Sequence, residues 1–143
     1  MSLSLNWYLK SVNEKNSTDS FLSYYIALES LGTNFGEHDI KPLKATIDKI
    51  YDNLSSQEVN QLCPIGKVYS LRGSIIHNAL EMNIPLFVIE FMRLLYFDLI
   101  DFKLQVPIKK RFLNQYKNSN ELIDYLNFAN KIQNSVYSLV VVT

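Results

Sequence analysis

Residues 84–102 read IPLFVIEFMRLLYFDLIDF, and no other stretch of the chain restricts its fold so tightly. The run is long enough to raise the question of a membrane span. Glu90, Arg93, Asp98 and Asp101 interrupt it, and each charge at hydrocarbon depth would cost roughly 2.5 to 3.5 kcal/mol. The run therefore predicts a helix starting at Pro85 and ending near Phe102, apolar on nearly all sides. Such a helix must lie at the centre of a packed fold or be shared with a second subunit. Pro107 separates it from the basic stretch IKKRFLNQYK.

The rest of the chain supplies helices to cover it. Leu5, Tyr8, Leu9 and Val12 recur at helical spacing over residues 2–12. Ser17, Thr18 or Asp19 can cap a second helix, with Phe21, Tyr24, Tyr25, Leu28 and Leu31 along its apolar stripe and Gly32 as its stop. After the loop TNFGEHD, Pro42 suits a first helical turn, and Leu43, Ile47, Ile50, Tyr51 and Leu54 mark the buried stripe of that helix. Ser55 or Ser56, with Glu58 close behind, caps a short helix that ends before CPIG. A further helix is expected from about Lys67 to Glu81. The last amphipathic helix carries Leu122, Tyr125, Leu126, Ala129 and Ile132, capped at Ser119 or Asn120. The tail, residues 135–143, is the one segment with strand-like composition, because its valines favour extended backbone; a lone strand has no partner to pair with.

With 143 residues, 48% apolar and only four glycines and four prolines, these elements predict one all-α domain with a single core. Fourteen basic and fourteen acidic residues cancel, so a global positive field is excluded and any nucleic-acid site must be local. A single cysteine, Cys63, and an N-terminus without a basic segment and apolar signal core predict a reducing, cytoplasmic setting. Two histidines and one cysteine, widely separated, make no zinc pattern, and no glycine-rich phosphate cradle is present; no metal or cofactor is expected. Cys63 reads as a small core residue and His38 as a solvated one.

The chemistry-bearing stretch is YSLRGSIIHNAL, residues 69–80. On a helical wheel of about 100° per residue with Leu71 at zero, Val68, Tyr69, Ile75, Ile76, Ala79 and Leu80 share Leu71's half of the circle. Ser70, Ser74, His77, Asn78, Glu81 and Lys67 face the other way. Arg72 falls inside the apolar arc, where a guanidinium needs an anion, and Glu29 on the shoulder of the second helix is the candidate partner. His77 lies on the polar side, with Ser74 and Glu81 near it. A histidine there is either a solvated side chain or a proton carrier, its ordinary pKa of about 6.5 suiting it to proton transfer near neutrality. Five residues turn the helix by about 140°, so one straight helix cannot aim Arg72 and His77 at one phosphate. In IKKRFLNQYK, Lys109, Lys110, Arg111 and Lys117 offer cations for an RNA backbone, and Phe112 and Tyr116 offer rings for a base; a solvated helical face is the plainer reading.

Taken together, SFLSYYIALESLG, then KVYSLRGSIIHNAL, then the apolar helix resemble the HEPN superfamily, in particular its Apea-like branch, over roughly residues 18–102. YYIALESLG matches that family's first signature helix, which ends in a glutamate, here Glu29. Arg72, GSII and His77 match the arginine, four to six residues and histidine of its second. The resemblance implies a dimeric helical bundle with a core over about 18–102 and additional helices over about 107–133. It also implies a metal-independent endoribonuclease of a toxin or antiviral defence type, or a catalytically inactive module binding RNA, a nucleotide or a protein. Arg72 and His77 would be the catalytic pair in a cleft shared by two protomers, with Glu29, Ser74, Asn78 and Glu81 supporting them. An antitoxin or regulatory partner is implied with the toxin role. The chain departs from the pattern at one place: active members often carry Asn, Asp or His directly after the arginine, and here that position is Gly73.

Overall fold

The computed structural model describes residues 2–32, 40–77, 83–115 and 119–142, with the backbone alone for residues 2, 32, 77, 115, 119 and 132–142. Every regular element among them is an α-helix: α1 Ser2–Asn13, α2 Ser17–Gly32, α3 Lys41–Ile50, α4 Ser56–Leu62, α5 Ile65–His77, α6 Leu86–Lys103, α7 Arg111–Gln115 and α8 Ser119–Val142. The all-α expectation holds, and none of these helices is long and apolar enough to cross a membrane.

α6 is the central element. Val88, Phe91, Met92, Leu94, Leu95, Tyr96 and Leu99 are all buried, spread around the helix. α2 and α3 both pack on it, with Phe21, Tyr25 and Leu28 of α2 and Leu43, Ile47 and Ile50 of α3 buried; α1 packs on α2, and α8 on α5. Burying the large side chains of one such helix removes about 1.5 to 3 kcal/mol per residue of apolar exposure, which makes this helix the seat of the core.

Four of its five charges divide into two pairs. Glu90 and Arg93 bond each other near the surface. Asp98 is fully buried and Asp101 nearly so, and their counter-charge comes from α7. Arg111 Nη1 lies 3.2 Å from Asp98 Oδ1 and 2.8 Å from Asp101 Oδ2, while the backbone N–H of Arg111 donates to Asp98 Oδ1 at 3.0 Å. The hydroxyl of Tyr51, just past α3, donates to Asp98 Oδ2 at 2.9 Å. Reaching this position from the end of α6 takes a tight connection in which Gln105 and Lys110 adopt positive φ, 57° and 50°.

Two helix starts are as expected. Ser55 caps α4 in a reciprocal box with Glu58, and Pro42 sits in the first turn of α3. The cap of α2 is different. Asn16 Oδ1 accepts from the backbone N–H groups of Thr18 and Asp19, while Ser17 accepts the backbone N–H of Ile84 at 2.9 Å and ties the start of α2 to the approach of α6.

Two further expectations are corrected. α1 buries Ser4 and Ser11, whereas Leu5, Leu9 and Val12 are exposed. A serine is small enough to let α1 approach α2 closely, and Ser4 Oγ donates to the carbonyl of Ala27 at 2.9 Å and lies 3.1 Å from the Tyr96 hydroxyl. Tyr8 then stacks on Tyr96 with ring centroids 4.9 Å apart. Aromatic stacking and satisfied hydroxyls outweigh the aliphatic stripe. The strand-like tail is helical to Val142. Once α8 is nucleated at Ser119, each added residue gains a hydrogen bond, and valine's handicap in a helix is under about 0.7 kcal/mol.

Burial pushes the phenol of Tyr51 far up, with the neighbouring Cys63 and Asp98 adding to the shift; burial does the same to Cys63 and Tyr25. These groups stay neutral in the fold but ionise in the open chain. Their contribution to stability is whole below the ordinary thiol and phenol values, about 8.5 and 10, and is lost as pH rises past them. Urea unfolding between pH 7 and 11 is therefore expected to show a midpoint that falls progressively above about pH 8.5. Cys63 should resist a maleimide at pH 7.5 until urea opens the fold.

Candidate functional site

α2 carries Glu29 and α5 carries Arg72 and Ser74, and the two helices meet at the ring of Tyr25. Val68, Leu71 and Ile75 form the buried face of α5, and Arg72 sits at its edge, half-buried. Ile76, on the apolar side of the wheel, is 48% exposed, so only one flank of the apolar arc faces the core. That places Arg72 at the boundary between protein and solvent.

The expected Arg72–Glu29 pair is replaced by a contact with a ring. The Arg72 guanidinium carbon lies 5.5 Å from the centroid of Tyr25, over its face. Tyr25 is 1% exposed and meets Tyr69 of α5 at 6.3 Å, so the ring is fixed from both helices. Glu29, one turn further along α2, is half-buried. The Tyr25 hydroxyl is raised first by burial and then by the charge of Glu29, while Arg72 pulls it down. Both charges therefore act on the same phenol. Sequence reasoning missed this cradle, although Tyr25 lies in plain view four residues before Glu29.

The chain contains three arginines, Arg72, Arg93 and Arg111, and each lies over an aromatic ring. Arg93 spends its N–H groups on Glu90. Arg111 spends them on Asp98 and Asp101. Of the three arginines, Arg72 alone lies over a ring without being joined to a carboxylate among the described residues. A guanidinium that is not joined to a carboxylate has its N–H donors available for an anion, and its fork matches a phosphate edge.

Ser74, also on α5, is half-buried. His77 ends α5 and its side chain lies outside the described atoms; Asn78 and Glu81 lie outside the described residues, as does His38. α5 runs as one α-helix through Gly73, so Arg72 and His77 remain about 140° apart around its axis.

The basic stretch after α6 is largely committed internally. Arg111 is the clamp on two buried carboxylates, and Phe112 is 2% exposed, edge-on to Phe91 at 4.9 Å, so it cannot receive a base. Lys110 Nζ donates to Asn53 Oδ1 at 2.9 Å and stands 3.4 Å from Asp52. Lys109 has an exposed side chain. Lys117 and Tyr116 lie outside the described residues. Among the described residues no group of three or more His, Cys, Asp or Glu side chains is placed to hold a metal ion. No protein-family model, curated protein or solved structure matches the chain.

Arg111→Ala strands two buried carboxylates and is expected to cost about 3 kcal/mol, lowering the melting temperature by roughly 10 °C for a chain of this size. Lys109→Ala is expected to leave it within about 1 °C, as an exposed lysine should. Differential scanning calorimetry of both variants checks the contrast; equal melting temperatures would show that the clamp contributes nothing.

Proposed function

We propose that the chain is a HEPN-like module acting as a metal-independent endoribonuclease of a defence or toxin system, with Arg72 and His77 as its working pair. The observation that carries this reading is Arg72: half-buried, lying over the ring of Tyr25, and joined to no carboxylate among the described residues. A guanidinium so held suits a phosphodiester and stays charged at any working pH. The helical bundle and the Tyr25–Glu29 segment preceding it agree with the resemblance.

The chemistry needs no metal. The 2′-oxygen of RNA attacks the adjacent phosphorus as one histidine takes its proton; the bond to the 5′-oxygen breaks as that oxygen receives a proton from a second, protonated histidine. The products are a 2′,3′-cyclic phosphate and a free 5′-hydroxyl. Arg72 stabilises the charge gathered on the phosphoryl oxygens in between. DNA, lacking the 2′-hydroxyl, cannot react this way.

Two histidines require two protomers, because His77 is the candidate and α5 holds it about 140° from Arg72 of the same chain. In the proposed homodimer, His77 of one protomer meets Arg72 of the other across a two-fold axis. A cytoplasmic setting and an antitoxin or regulatory partner belong to this reading.

Gly73 favours a second reading, in which the same site binds RNA or a nucleotide without cutting it, or docks a protein. The internal commitment of Arg111 and Lys110 to Asp98, Asp101, Asp52 and Asn53 points the same way, since it removes cations from an extended RNA track.

Incubation of the purified protein with RNA in excess chelator separates the two. Cleavage that persists with chelator, leaves cyclic phosphate ends and is lost by at least about a hundred-fold in Arg72→Ala and in His77→Ala supports the nuclease. Mixing the two inactive variants should restore at most a small fraction of the activity, since each heterodimer holds one His77 and the step uses two; recovery to about a quarter would show that one histidine per site suffices. Binding without cleavage supports the second reading, and a monomer by light scattering overturns the shared cleft.

A further inference from the structure

We propose that Tyr25 is the positioning residue of Arg72: its buried ring lies under the guanidinium carbon and holds the group where its N–H donors can meet a phosphate oxyanion. The inference deepens the reading above and rests on it for the ligand class. Its grounds are three features of the geometry.

The contact joins two helices. Tyr25 comes from α2 and Arg72 from α5, so the ring fixes the guanidinium relative to Glu29 rather than to its own helix. The ring itself cannot swing away. It is 1% exposed, and Tyr69 flanks it from α5 at 6.3 Å. A rigid platform removes most of the rotamer freedom that a long arginine would otherwise lose on gripping a ligand.

The other two arginines show what happens where the donors serve the fold. Arg93 and Arg111 also lie over a ring, that of Phe97, at 5.9 and 5.5 Å, yet both are turned edge-on to carboxylates. At Arg72 the ring is kept, and among the described residues no carboxylate is joined to it. Glu29 lies one turn along α2 from Tyr25 and acts on its hydroxyl, which puts a carboxylate in the neighbourhood of the platform.

The phosphate has two sources, an RNA backbone and a free nucleotide, and the test distinguishes them. The probes are a fluorescein-labelled RNA whose 2′-hydroxyls are methylated, so that it binds without being cut, and AMP. Affinities are measured by anisotropy and calorimetry for wild type, Tyr25→Phe, Tyr25→Leu, Arg72→Ala and the Tyr25→Leu/Arg72→Ala double variant. Tyr25→Phe keeps the ring and should bind within about two-fold of wild type. Tyr25→Leu and Arg72→Ala should each bind about ten-fold more weakly, and the double variant no more weakly than Arg72→Ala alone, since Tyr25 acts only through Arg72. If Tyr25→Leu fails to fold, pentafluorophenylalanine at position 25 keeps the shape and removes the negative ring face; it should weaken binding about five-fold.

Losses that multiply in the double variant, or a pentafluoro ring that binds like wild type, overturn the proposal. The full pattern with AMP but not with RNA supports the role of Tyr25 and overturns the ribonuclease reading instead. Binding of both probes that is indifferent to Arg72→Ala overturns both.

Discussion

A carboxylate with no exposed surface, Asp98, stands in the middle of the central helix, and the arrangement of its neighbours is set by what that charge requires. Taken out of water alone, it would cost several kcal/mol. Arg111 supplies the cation, Tyr51 a hydroxyl and the start of α7 a backbone N–H. Those three groups come from two parts of the chain, Tyr51 just past α3 and Arg111 at the start of α7, so the helices that carry them cannot be moved independently of α6. The left-handed backbone at Lys110, which brings Arg111 into place, is the local strain the clamp offsets.

The clamp also fixes how the molecule distributes its arginines. With one guanidinium held by Asp98 and Asp101 and another by Glu90, the guanidinium joined to no carboxylate among the described residues is on α5, over Tyr25. Stability and the proposed chemistry therefore draw on the same residue type in two ways. The face of the ring is common to all three sites; the edge of the guanidinium separates them.

Much of the fold was legible in the sequence, because period and punctuation act locally. Pro42, the Ser55–Glu58 box and the apolar run of α6 each depend on neighbours a few residues away. The illegible parts depend on distant groups. The phase of α1 is set by the carbonyl of Ala27 and the ring of Tyr96, neither visible from Leu5, Leu9 and Val12. The helical tail overrides the extended preference of its valines through the helix before it. At the site, the wheel placed Arg72 on the apolar flank but named a carboxylate where the structure has a ring, since a wheel ranks directions and not distances. Arg111 reads in the sequence as an RNA contact because a basic run looks solvated; two acids three residues apart in an apolar helix, Asp98 and Asp101, are the signal that a cation has to come back to them.

The order in which the clamp's parts leave the ribosome has its own consequence. Tyr51 precedes Asp98 by 47 residues, and Arg111 comes 13 residues after it. During synthesis α6 leaves the ribosome ahead of Arg111, and until that cation follows the hydrated carboxylates oppose collapse of its acidic face. Closure waits for α7, so the last short helix before α8 decides when the central one can be sealed, and a nascent chain stalled before Arg111 would hold its most apolar segment open to chaperones.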